Sequence, residues 1–227
     1  MKHISDMDKV YAQKSLPELI SDRIANASGW VWTPGDFVDI GSRDAVDKAL
    51  QRMVNNAQLR RVERGLYDKP SFNSLTGKST VPDYRAVIEA VARRDKVRCL
   101  IDGMTAANTL GLTNAVPAKI EVLVDARLKP ISLGNQKIMF KNAAPSRLFW
   151  AGRPGMYLVQ ALHWLHDVMK SDVEKDGIDR TVRKLLDDEK SGAKLREDLR
   201  SGISAMPIWM QKLLRKQLFP SGQAPSR

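Results

Sequence analysis

Signals that start a helix stand at Ser15, at Thr33 and again at Ser42, so close together that only helices of fewer than about five turns fit between them. Ser15-Leu16-Pro17-Glu18 has the capping-box pattern, and Leu16, Leu19, Ile20 and Ile24 recur at helical spacing. A first helix over about 16–26 is predicted, stopped by Asn26 to Gly29. Trp30-Val31-Trp32 is a short β-prone run, and Thr33-Pro34 supplies a cap and a first-turn proline for a very short helix to about Val38. Gly41 breaks that helix. Ser42 caps a third, whose Val46, Ala49, Leu50, Met53 and Val54 form one apolar stripe opposite Arg43, Asp44, Asp47, Lys48, Gln51, Arg52 and Asn55. Two strand-like runs, Leu59-Arg60-Arg61-Val62 and Leu66-Tyr67-Asp68, then flank Glu63-Arg64-Gly65, where Gly65 can take the positive φ of a tight hairpin.

Helix, strand, short helix, polar-faced helix and arginine-rich hairpin is the order of a winged helix-turn-helix. There the last helix enters the major groove N-terminus first and the hairpin lies along the backbone. The expected DNA contacts are Ser42, Arg43, Asp47, Lys48, Gln51 and Arg52 on the helix, with Arg60, Arg61, Arg64, Tyr67 and Lys69 on and beside the hairpin. Arg, Lys and Gln on the helix have donors suited to base edges, whereas Arg60, Arg61, Arg64 and Lys69 suit phosphates. Asp44 and Asp47 either accept from cytosine amino groups or discourage non-specific binding. The same pattern also fits a plain three-helix core with a solvated charged face.

Composition narrows the class. With 43% hydrophobic and 28% charged residues among 227, the chain is expected to be soluble and globular. It has no apolar run near 18 residues and no apolar segment behind Met1, so a cytoplasmic location and no membrane partner are expected. Cys99 is the only cysteine, which excludes an internal disulfide. The net charge of +11 raises the prior for a polyanionic partner. Residues 1–70 hold 11 bases and 10 acids, 71–150 hold 12 and 6, and 151–227 hold 14 and 10, so most of the excess lies downstream of the helix and hairpin. Within the first part, residues 43–69 carry 7 bases and 4 acids, against 4 and 6 in residues 1–42.

The run from Pro70 to Pro82 consists of turn formers without periodicity and is expected to be a linker. The predicted organisation is therefore a DNA-binding domain over 1–70, a linker over 71–83, an α+β domain over 84–170, C-terminal helices over 171–219 and a disordered tail over 220–227. In the α+β domain an amphipathic helix after Asp83 precedes a buried strand, Cys99-Leu100-Ile101, and a short helix from Met104 to Leu110 packs through Ala106 and Ala107. Ile120 to Val124, Ile131 to Leu133 and Lys137 to Lys141 complete a mainly antiparallel sheet, the last two joined by a hairpin at Gly134-Asn135.

Catalytic patterns fail. Asp102, Glu121, Asp125 and Lys129 lack the spacing of a metal-dependent nuclease, because Glu121 is followed by Val122-Leu123. Gly41-Ser42 with Asp47 lacks the acidic pair of a nucleotidyltransferase. His163 and His166, with only Asp167 nearby, are expected to be a partly buried pair beside Trp164 and not a metal site, and Cys99 is expected to be core. Neither enzymatic activity, a metal nor a cofactor is expected.

Thr33-Pro34, Asp36-Phe37, Gly41-Ser42, Ala45-Val46-Asp47, Ala49-Leu50, Arg52, Arg60-Arg61-Val62, Arg64-Gly65-Leu66-Tyr67 and Lys69-Pro70 together resemble the N-terminal segment of AbiEi-type antitoxins. Ala106-Ala107-Asn108, Leu110-Gly111-Leu112 and Val116-Pro117-Ala118-Lys119 resemble the same family, and the resemblance spans about residues 15–165. It implies the regulatory member of a type IV toxin–antitoxin pair used in abortive infection. Such a protein binds repeats in its own promoter through a winged helix and antagonises a nucleotidyltransferase-like toxin through the following domain. A stand-alone regulator with a sensing domain and a nucleic-acid-processing enzyme are the alternatives.

Overall fold

The computed structural model describes residues 14–75, 77–115, 117–168 and 172–219. The fold is α+β and divides into two compact units, Met1–Val97 and Arg98–Arg227.

In the first unit the local signals form the expected elements. Helix α1 is Leu16–Ala25, with the Ser15 amide and hydroxyl both donating to Glu18 Oε2, at 2.7 and 2.6 Å. Strand β1 is Val31–Trp32, and a 3-10 turn over Pro34–Phe37 is closed by Asp36, which accepts from the Thr33 amide at 2.7 Å. Helix α2 is Arg43–Asn55, and its cap Ser42 accepts from the Ala45 amide. Strands β2, Arg60–Glu63, and β3, Leu66–Asp68, make a hairpin around Gly65 at φ +72°. The sheet order is β1-β3-β2, all antiparallel, and Ile20, Ile24, Phe37, Val46, Leu50, Met53 and Tyr67 share one core with Trp32.

Residues 71–83 depart from the expected linker. The chain there folds into a small hairpin of its own, bridged at Phe72 and Ser79, with the Asn73 amide donating to the Lys78 carbonyl. Arg60 anchors it by donating to the Thr80 carbonyl at 2.8 Å. The next helix, α3, Tyr84–Asp95, packs on β1 and β3 and belongs to the first unit, so the division falls at Val97 and not within 71–83. The physical reason is a set of long-range bonds that no local pattern announces. Arg93 donates to the Val31 carbonyl at 2.7 Å and lies 3.3 Å from Asp36, while Arg94 donates to the Arg64 carbonyl at 2.6 Å.

The second unit holds a four-stranded sheet of order β4-β5-β7-β6, from β4, Cys99–Ile101, β5, Lys119–Val124, β6, Ile131–Leu133, and β7, Gln136–Asn142. Two pairings are antiparallel and β5 runs parallel to β7. Gly134, at φ +57°, turns the predicted hairpin. Helix α4, Gly103–Thr109, lies so close to α5, Met156–Val168, that a Cβ on Gly103 would sit 2.6 Å from the Gln160 carbonyl oxygen. Helices α6, Asp172–Leu186, α7, Gly192–Ser201, and α8, Ile208–Leu218, complete the unit. Their Ile178, Leu195, Leu199 and Met210 share a core with Leu100 of the sheet and Leu158 of α5. The C-terminal helices, set apart from the α+β domain at 170/171 in the expected organisation, therefore share its core. The tail 220–227 lies outside the described residues.

Candidate nucleic-acid interface

The polar face of α2 is displayed as its apolar stripe requires. Val46, Ala49, Leu50 and Met53 are buried, and Arg43, Asp44, Lys48, Gln51, Arg52 and Asn55 are exposed. Several of these side chains engage each other along the helix. Arg43 pairs with Asp47 at 2.9 Å, Gln51 donates to Asn55 at 3.1 Å, and Arg52 Nε donates to the Lys48 carbonyl at 3.3 Å. Lys48 has no side-chain partner among the described residues.

On the hairpin, two neighbouring arginines have different fates. Arg61 is exposed and, among the described residues, makes no hydrogen bond or ion pair through its side chain. Arg60 faces the other way along the strand and is committed. Its guanidinium makes two bonds to Asp68, at 2.9 and 2.5 Å, and a third to the Thr80 carbonyl. Asp68 is 6% exposed, because β3 is the central strand, and its buried carboxylate requires that cation. Arg60 is therefore corrected from a phosphate contact to a structural residue. Tyr67 is corrected as well, since it is 6% exposed and part of the core. Arg64 at the turn and Lys69 beyond β3 are exposed, and their side chains have no partner among the described residues.

The cations that support this surface are all engaged with acids. Arg23 makes two 2.7 Å bonds to Asp39, holding that carboxyl below its ordinary value of 3.8, and also donates to the Asp36 carbonyl. Arg93 sits 4.5 Å from the centre of the Trp30 ring and bonds Asp36, and Arg94 makes two bonds to Asp95. Sequence reasoning passed over Arg93 and Arg94 because it assigned them to the other domain. The basic run at the end of α3 was visible, but not what it meets.

The family described as DUF6088, a family of unknown function, matches residues 19–191. The chain belongs to this family. The DUF6088 match takes in α2, the hairpin and α3 together, and runs on through the sheet of the second unit to α6. No curated protein matches the chain.

In the second unit of this DUF6088 protein, the acids once weighed as catalytic are bound up. Asp102 caps α4, accepting from the Thr105 amide at 2.9 Å, the Thr105 hydroxyl at 2.6 Å and the Glu121 amide at 3.1 Å. Glu121 bridges Lys141 at 2.6 Å and Lys119 at 3.3 Å, and those bonds lower its pKa from the ordinary 4.5. Arg98 does the same to Asp125. His163 and His166 are exposed and meet Trp209, with the His166 ring stacked at 4.1 Å, so the expected partly buried pair beside Trp164 is corrected. Cys99 is buried in β4. Among the described residues no group of three or more His, Cys, Asp or Glu is placed to hold a metal ion, and no helix is long and apolar enough to cross a membrane. A cavity of about 240 Å³ between α6, α7 and α8 is lined by Asp179, Arg183, Leu186, Arg196, Lys216 and Gln217.

Proposed function

We propose that the first unit is a winged helix that binds duplex DNA, and that the chain is the autoregulating antitoxin of a type IV toxin–antitoxin pair, acting in the cytoplasm without catalysis. In this reading α2 enters the major groove, Arg61, Arg64 and Lys69 lie on phosphates, and Arg43, Lys48, Gln51 and Arg52 face base edges or the adjoining backbone. One observation carries the DNA half. Arg23, Arg60, Arg93 and Arg94, which brace the unit, each pair with a carboxylate, whereas Lys48, Arg52, Arg61, Arg64 and Lys69 on α2 and the hairpin pair with none among the described residues. Cations left exposed and unpaired on two adjoining elements retain their full charge for phosphates. The Arg43–Asp47 pair lowers the net charge of α2 and argues for contact by shape and hydrogen bonding there, with the hairpin as the electrostatic anchor.

The toxin-antagonist half rests on the AbiEi resemblance. Three experiments test the reading. Purified protein should retard a duplex taken from upstream of its own coding sequence at lower concentration than a random duplex of equal length; equal retardation would remove the operator role. Co-expression with an adjacent nucleotidyltransferase-like gene should restore growth, and persistent toxicity would remove the antitoxin role. Incubation with labelled DNA, RNA and nucleotides and Mg²⁺ or Mn²⁺ should yield no product. The second reading, a lone regulator that senses a small ligand, draws on the cavity between α6, α7 and α8, which at about 240 Å³ is smaller than most ligand sites. An upstream operator without a toxin gene nearby would favour it.

A further inference from the structure

The hairpin that carries Arg61 and Arg64 is too short to hold its own shape. β2 and β3 pair only at Arg60 with Asp68, Arg61 with Tyr67 and Glu63 with Leu66, with a break in register between Arg61 and Glu63. A two-stranded ribbon of this length is marginal in water. Its base is secured, because β3 also pairs with β1 through Asp68 and Tyr67 and because Arg60 locks onto Asp68. Neither of those holds the turn.

We propose that Arg94 of α3 is the positioning residue of this hairpin, fixing the backbone at Arg64 so that the Arg64 guanidinium meets a DNA phosphate. The proposal rests on the DNA-binding reading above. Arg94 Nη1 donates to the Arg64 carbonyl at 2.6 Å, and the Arg94 stem lies against the turn, with Cδ 3.2 Å from where a Cβ on Gly65 would be. Gly65 thus serves twice, once for its φ of +72° and once for the room it leaves to that stem. Arg94 also donates to Asp95, from Nε at 2.9 Å and from Nη2 at 2.7 Å. With its charge matched by Asp95, Arg94 is itself a poor phosphate ligand, and it acts through Arg64. It follows that the DNA-binding module needs α3 as well as residues 1–70.

The test uses the full chain and a random-sequence duplex of about 30 base pairs, with affinity measured by fluorescence anisotropy over a range of salt. Each phosphate contact contributes about 0.9 to the slope of log K against log salt. Arg64→Ala should flatten the slope by about 0.9. Arg94→Met, which keeps the stem and removes the donors, should flatten it by the same amount, and the double variant should flatten it no further. A merely structural role would lower thermal stability and leave the slope of the folded protein at the wild-type value, so a wild-type slope for Arg94→Met, or additive effects in the double variant, overturns the proposal. Should Arg94→Met fail to fold, Arg94→Leu gives the same comparison, since it too removes every donor and keeps an apolar side chain beside Gly65. If wild-type protein shows no salt-dependent binding at all, the DNA-binding reading falls and this proposal with it; binding by wild type without coupling between Arg64 and Arg94 removes only the positioning role.

Discussion

Removing Arg61 and Arg64 together should change the salt dependence of DNA binding in a way that removing Arg60 does not. Lys48, Arg52, Arg61, Arg64 and Lys69 are the cations of α2 and the hairpin that carry no carboxylate partner among the described residues. At about 0.9 per phosphate, all of them in contact would give a slope near −4.5, a loss of affinity of about 500-fold between 50 and 200 mM salt. Arg61→Ala with Arg64→Ala should reduce the slope to about −2.7 and the loss to about 40-fold over the same range. Arg60→Ala should leave the slope near −4.5, because that guanidinium is already spent on Asp68 and the Thr80 carbonyl. Fluorescence anisotropy with a labelled duplex, at a temperature where circular dichroism shows every variant folded, measures all three. If Arg60→Ala flattens the slope as much as Arg61→Ala does, the assignment of one arginine to structure and its neighbour to DNA is wrong.

Stability offers independent checks. Asp68→Asn leaves Arg60, whose side chain is 31% exposed, without its counter-charge. Breaking a fully buried pair costs about 3–5 kcal/mol, and partial exposure reduces the expected loss to about 2 kcal/mol, read from urea unfolding. Gly103→Ala puts a methyl group 2.6 Å from both the Gln160 carbonyl oxygen and Trp164 Cβ, so overpacking of about 1–3 kcal/mol is expected, and an unchanged unfolding midpoint would mean α4 and α5 are not so closely apposed. Glu121, held by Lys141 and Lys119, Asp39, held by Arg23, and Asp125, held by Arg98, all have pKa values lowered by folding. Their contribution is therefore complete above the unfolded values of 4.5 for Glu and 3.8 for Asp, and is lost as pH falls through the lower folded values. Unfolding midpoints should be flat between about pH 7 and 5 and fall in more acid solution; a decline that begins near pH 6 would require a different group.

Much of the element order could be read from residues close in sequence. Ser15 with Glu18, Thr33 with Asp36 and Ser42 with the Ala45 amide are bonds over three residues, and a capping signal is legible because its partner is so near. Gly65 and Gly134 marked turns for a similar reason, since the conformation each supplies is a property of the single residue. The segment 71–83 was misread because turn formers also build small hairpins, and what folds this one back is Arg60, a residue outside the segment.

Sequence by itself determined the helix starts, the buried stripe of α2, the two hairpins and the α+β class, all of which follow from local spacing and from apolar periodicity. Only the tertiary structure decided which of two adjacent arginines is free. Arg60 and Arg61 have the same chemistry and the same local setting, and they differ because strand alternation and the buried Asp68 bring a carboxylate to one and leave the other in solvent. The place of α3 was decided in the same way, by Asp36, Val31 and Arg64 standing where Arg93 and Arg94 could reach them. Hydrogen bonds and charge pairs act over a few ångströms in space, and residues 30 to 62 positions apart in the chain are brought within that range only when the chain has folded.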